Sequence, residues 1–332
     1  MKELSDYVSK QNLFGYATSE LSQDAFICWL LSYAMEGGAS KNAALHGCAV
    51  EFLRKVLPDD ECIVVNAIRR QYMHTDVLVT VNHRWHIIIE DKTFTDVHGT
   101  QIQDYKAALQ GEVPDGSIKT VFYKIVEQSG KEAVDFSYDR KTLLEVFGTY
   151  TEQTDNAIFL DYVAYLKALD TMVEQWRTTP IREWCPEMFG GFFTYLDETI
   201  FSPATGNWGY VSNANGGFMA LWFKGYSAEA LHISKDILEE VYLQIEDNII
   251  SLKILMAGNG RNSNHAEIRW QLYNEMKAIL SEDYGETYRK KGFRPGRYVS
   301  AGYLEYDETN YADKIKHMEK ALEKLVSRHC VS

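Results

Sequence analysis

Long apolar runs are missing from this chain of 332 residues. No stretch approaches the ~18–20 residues that a membrane helix needs, which argues against a membrane-spanning helix. The opening text, MKELSDYVSKQNLFGYA, has no apolar signal core, so the expected location is the cytoplasm. Cysteine is scarce and unpatterned: Cys28, Cys48, Cys62, Cys185 and Cys330 include no C-x-x-C pair, which points to reduced thiols and away from a disulfide framework or a zinc site. The histidines His74, His86, His98 and His265 form no ligand spacing either. Internal repeats and low-complexity linkers are absent. Basic residues are in deficit, with 34 Lys+Arg against 47 Asp+Glu and a net charge of −13, which lowers the expectation of tight, unspecific binding to a polyanion.

What is present is apolar and aromatic substance. Hydrophobic residues make up 45% of the chain and aromatics 13%, which excludes disorder and supplies a substantial core. The most informative stretch is Thr75 to Tyr105, TDVLVTVNHRWHIIIEDKTFTDVHGTQIQDY. Asp76 to Val81 and Trp85 to Glu90 are rich in β-branched residues and are separated by Asn82-His83-Arg84, the pattern of a hairpin with a short turn. Antiparallel pairing brings Asp76 opposite the far end of the second strand, beside Glu90. Two carboxylates at one strand end repel each other, and the usual remedy is a hard divalent cation with oxygen ligands. Lys92 lies two residues past Glu90 and therefore shares its face, within reach of a water or a phosphate held at such an ion. Asp91, between them, faces away. On the helix expected next, Gln101 and Tyr105 at i and i+4 share one face.

Around this stretch the pattern reads as a helix over 19–35, a second from Asn42 to Leu57 ending at Pro58, a strand from Cys62 to Arg70, the hairpin, a helix from Thr100 to Gln110, and a strand from Lys119 to Val126. Pro58-Asp59 is a literal "PD" in an acidic turn, where both residues are ordinary turn formers; Asp76, at a strand start, is the better candidate. Beyond about 135 come helical patterns at 140–147, 154–177 and 181–200. Strands follow at 217–223, 241–245, 249–256 and 298–306, with helices at 264–281 and 309–328. Two segments there invite function. Arg289-Lys290-Lys291-Gly-Phe-Arg294-Pro-Gly-Arg297 concentrates five basic residues and an aromatic in an acidic chain, as a phosphate-contacting loop does, although a solvated loop has the same composition. Ala257 to Ser263 is Gly-rich before a helix but lacks the Lys and Ser/Thr of a P-loop.

The carboxylate, strand, turn, strand, Glu90-Asp91-Lys92 order resembles the catalytic core of the PD-(D/E)XK nuclease superfamily. Gln101-Ile-Gln-Asp-Tyr105 is similar to the Q-x-x-x-Y motif of its RecB-like members. Ala17 to Leu31, ATSELSQDAFICWLL, resembles the wording of a helix that precedes the core in a group of bacterial members. The resemblance implies an α/β fold: a restriction-endonuclease-like αβββαβ core over 1–150, its mixed sheet flanked by helices, with an α+β accessory region over 151–332 packed closely on it. It implies a Mg2+- or Mn2+-dependent phosphodiesterase acting on nucleic acid, DNA ahead of RNA. Asp76, Glu90 and the Asp91 carbonyl would be ligands, joined by an acid from the first helix, Glu20 with Asp24 as its rival. Lys92 would act on water and the transition state, while Gln101 and Tyr105 would orient the substrate strand or the lysine. The alternative is a nuclease fold serving as a nucleic-acid-binding or assembly subunit with little catalysis. A protein partner, a homodimer and a place in antiphage defence are compatible with either reading.

Overall fold

The computed structural model describes residues 4–60, 62–72, 75–92, 101–114, 116–129, 133–201, 207–213, 216–258, 264–292 and 296–330. They form an α/β chain with one mixed and one antiparallel sheet, each accompanied by helices, in two compact units that divide between Glu174 and Gln175.

The first unit opens with α1 (Glu20–Leu31), the short α2 (Gly38–Lys41) and α3 (Ala43–Val56). Asn42 caps α3 by accepting a hydrogen bond from the Leu45 N–H at 3.0 Å, and the helix stops just before Leu57-Pro58, as proline requires. Strands β1 (Val65–Tyr72), β2 (Thr75–Val81) and β3 (Trp85–Lys92) form an antiparallel meander. Helix α4 (Gln101–Gln110) follows, and β4 (Ile118–Lys124) and β5 (Phe136–Tyr138) add in parallel, giving the order β1-β2-β3-β4-β5. Asn82 and His83 both take positive φ, 54° and 50°, the backbone twist that a tight hairpin turn demands. Helices α5 (Arg140–Gly148) and α6 (Ala157–Glu174) complete the unit.

Alternation along the strands sorts the side chains onto two faces. Val77, Val79, Val81, Ile87, Ile89, Val121 and Tyr123 join the main core with apolar residues of α1, α3, α5 and α6. Leu78, Ile88 and Ile118 on the opposite face join Leu109 of α4 in a smaller cluster, with Tyr105 packed against it. The boundary expected at 150 therefore moves. Helix α6 buries Phe159, Tyr162, Val163, Leu166 and Leu169 in the N-terminal core, so it belongs to the first unit.

In the second unit, α7 (Pro186–Thr199) precedes β6 (Trp208–Asn213), β7 (Gly216–Ser227), β8 (Leu238–Glu246) and β9 (Ile249–Met256). Helix α8 (Asn264–Tyr284), β10 (Arg289–Lys290), β11 (Tyr298–Glu305) and α9 (Tyr311–Cys330) follow. All pairings are antiparallel, in the order β10-β11-β9-β8-β7-β6. Among the described residues no helix is long and apolar enough to cross a membrane.

Candidate active site at the end of the hairpin

Register places the key residues. Val77 pairs with Ile89, so Asp76 and Glu90 come next to each other at the open end of the hairpin. The Asp91 N–H donates to Asp76 Oδ2 at 2.9 Å, fixing that carboxylate against β3. The Lys92 ammonium reaches both acids, with its Nζ 2.9 Å from Glu90 Oε1 and 3.9 Å from Asp76 Oδ2. Asp76, Glu90 and Lys92 therefore converge, on the sheet face that α4 covers. Glu90 is fully buried and its Oε2 has no hydrogen-bond partner among the described residues.

A second pair of acids approaches from α1. Asp24 is almost completely buried and its Oδ1 is without a hydrogen-bond partner among the described residues. Glu20, one turn earlier, is half-buried and adds its charge to the field at Asp24, Asp76, Asp91 and Lys92. Both acids offered by the sequence thus stand near the site, and Asp24 is the one sealed from water.

Burial and mutual repulsion leave these carboxyls reluctant to ionise. Burial first, then the neighbouring Asp76, pushes Asp24 up to about 7, and the same two causes push Glu90 up to about 7. Asp76 is also raised by burial, an effect that the Asp91 N–H and Lys92 partly offset. Burial opposes the charge on Lys92, but the contact with Glu90 outweighs it and holds the amine above its ordinary pKa. At neutral pH Lys92 is therefore an ammonium lodged between two acids, where it stands in for a cation.

Among the described residues, no three His, Cys, Asp or Glu side chains are placed so that they could together hold a metal ion. The donor chemistry still suits a hard one. Every acidic donor is a carboxylate oxygen, and buried oxygens of Glu90 and Asp24 lack hydrogen-bond partners. A divalent ion with oxygen ligands would bind by displacing the Lys92 ammonium from between Asp76 and Glu90.

Asp91 faces the main core, as its place between Glu90 and Lys92 dictates. It accepts from Gln23 Nε2 of α1; Gln23 Oε1 accepts from the Tyr162 hydroxyl at 3.0 Å, and that hydroxyl lies 2.8 Å from the Tyr123 hydroxyl. Burial drives Asp91 well above the carboxylate range, against the Gln23 hydrogen bond. Its side chain is thus part of the core, and only its carbonyl can serve the site.

Other expected residues fall less centrally. Tyr105 is half-buried against the Leu78 and Ile88 cluster on the site's face. The side chain of Gln101 lies outside the described residues, as do His74, His98 and Arg294. In the second unit Arg289 pairs with Glu305 at 3.0 Å, Lys291 with Glu246, and Arg297 with Glu239 at 3.2 Å. Lys290 lies 4.2 Å from the centre of the Trp270 ring. The charge of this segment is largely matched within the chain.

Two residues escape a reading by motif. Gln23 reaches the core beneath the site only because α1 packs beside β3. Lys124 pairs in register with Lys92 across the parallel β3 and β4 and is also buried. A lysine closing an apolar strand was its one signal in the sequence. Against family models, curated proteins and solved structures, the chain gives no match.

Proposed function

We propose that this chain is a metal-dependent nuclease of the PD-(D/E)XK type, hydrolysing phosphodiester bonds of nucleic acid, with DNA the favoured substrate. The observation that carries the reading is the convergence of Asp76 and Glu90 on the Lys92 ammonium at the end of one hairpin. The parallel β4 and the α4 that covers this face are compatible with a restriction-endonuclease-like core.

Asp76, Glu90 and the Asp91 carbonyl would hold Mg2+ or Mn2+, with Asp24 or Glu20 closing the shell from α1. The ion would supply an acidified water and neutralise charge on the phosphate. Lys92, released from its carboxylates, would orient that water and offset the negative charge that grows on the scissile phosphate. The Asp91 N–H, which donates to Asp76, would keep that carboxylate aimed at the site. Tyr105, and Gln101 one turn before it, would border the substrate strand.

A second reading, a nuclease fold that binds or assembles with little hydrolysis, draws support from the net charge of −13 and from the internally matched basic segment. One experiment separates the two. Plasmid and single-stranded DNA are incubated with Mg2+ or Mn2+, beside calorimetric titration of Mn2+. The nuclease reading expects cleavage that falls at least about a hundredfold in Lys92→Ala and Mn2+ binding that Asp76→Ala removes. DNA binding without cleavage by the wild type would establish the second reading instead.

A further inference from the structure

A groove on the antiparallel sheet of the second unit has a different chemistry from the acid site. Strand β7 is bulged between Phe223 and Gly225, and Lys224 takes a φ of 49° there, a left-handed conformation uncommon for a residue with a side chain. Lys224 pairs with Glu323 at 2.6 Å. Gly225, opposite Tyr242, makes room for the Glu240 carboxylate, since a Cβ at this position would collide with its Oε1. The resulting groove has a volume of about 470 Å³ and runs from Trp222 past Tyr242 and Glu240 to Leu255 and Tyr298.

We propose that this groove binds a small organic cation, an alkylated ammonium or a guanidinium. The π faces of Trp222, Tyr242 and Tyr298 attract positive charge, and Leu255 offers hydrocarbon to alkyl groups. Glu240 has no ion-pair partner among the described residues, whereas Lys224 and Arg297 beside it are each paired with another acid. Lys224 is held by Glu323 and Arg297 by Glu239, while the Lys253 amine, half-buried in register with Tyr242, is held below its ordinary pKa by burial, which the field of Glu246 offsets only in part. One uncompensated carboxylate among aromatic rings selects a cation by charge complementarity. A nucleotide could use the same rings for stacking, but its phosphate would meet Glu240 in an acidic chain.

The groove is also set before any ligand arrives. The Trp222 Nε1–H donates to Gln244 Oε1 at 2.9 Å, Gln244 Nε2 donates to Glu246 Oε2 at 2.5 Å, and Lys291 closes the relay by pairing with Glu246. An indole plane fixed in this way costs little further ordering on binding.

The test is calorimetric titration of the full chain with choline, with arginine methyl ester and with thymidine monophosphate. Saturable binding of choline, the ester or both is expected, and whichever binds assigns the head group; thymidine monophosphate should bind more weakly. Glu240→Gln, nearly isosteric, and Tyr298→Ala, at a side chain 63% exposed, should each weaken the cation about tenfold while thermal melting stays unchanged. Absence of saturation by both cations, tighter binding of the nucleotide, or undiminished cation binding in Glu240→Gln would each overturn the proposal.

Discussion

Buried on the core side of β3, Asp91 has one side-chain donor among the described residues, Gln23, which also accepts from Tyr162. Replacing Gln23 by Ala strips a buried carboxyl of its donor and a buried hydroxyl of its acceptor. We expect a loss of roughly 2–4 kcal/mol in urea unfolding. Tyr162→Phe removes only the hydroxyl that links Gln23 to Tyr123 and should cost about 1–2 kcal/mol; equal losses would show that Gln23 is not the keystone. Glu286 makes stability depend on pH. Burial raises its pKa, but Lys314 and the His317 Nδ1 at 2.9 Å outweigh that and leave it depressed. A depressed carboxyl contributes stability above its unfolded pKa of about 4.3, and the contribution is lost as the pH falls through the folded value. Glu286→Gln should therefore cost on the order of 1–2 kcal/mol at neutral pH. The two unfolding curves should draw together in acid, and a gap that persisted there would refute the pairing as its cause.

At the scale of elements, the turn between β2 and β3 does more than reverse the chain. Asn82 combines a positive φ with two hydrogen bonds that brace the approach to β1: its Oδ1 accepts from the Val64 N–H at 2.9 Å and its Nδ2 donates to the Cys62 carbonyl at 2.7 Å. Asn82→Gly keeps the backbone conformation accessible and removes both bonds, so a loss of about 1–2 kcal/mol in thermal or urea unfolding would assign the bracing role, and no loss would reduce Asn82 to a turn former. The hairpin itself was legible in the sequence because two β-branched runs and a three-residue turn leave only one register, and that register delivers Asp76, Glu90 and Lys92 together. Other elements were not legible for identifiable reasons. Strand β6 (WGYVSN) carries Gly and Asn where a strand signal needs branched residues, and β10 is two residues long, defined only by its partner β11. The spacing in α6 announces an apolar stripe but cannot say which core receives it, which is why the boundary at 150 fell short. Gln23 needed the packing of α1 on the sheet, and the acids that neutralise Arg289, Lys291 and Arg297 are remote in the chain.

At the scale of the molecule, the main core of the first unit draws its buried residues from Phe14 to Leu169 and every strand of its sheet lies in the same span. The unit's bounds, Lys2 to Glu174, fall within the usual size of an independently folding domain. The acids and the lysine of the candidate site, Glu20, Asp24, Asp76, Glu90 and Lys92, all lie inside it, as do Gln23 and Tyr162, which hold α1 against β3. The hydrogen bonds and ion pairs described for Asp76, Glu90, Lys92, Gln23 and Tyr162 join residues of this same unit. A fragment ending at Glu174 is therefore expected to unfold in one cooperative transition and, on the proposed metal-dependent reading, to bind Mn2+, the ion raising its melting temperature by mass action. Circular dichroism melts of the fragment, with and without Mn2+ and with Asp76→Ala as the control, measure both properties. A fragment that folds but ignores Mn2+, beside a full chain that binds it, would place part of the ion's shell in the second unit; a fragment that fails to fold would show that the first core is not sufficient by itself.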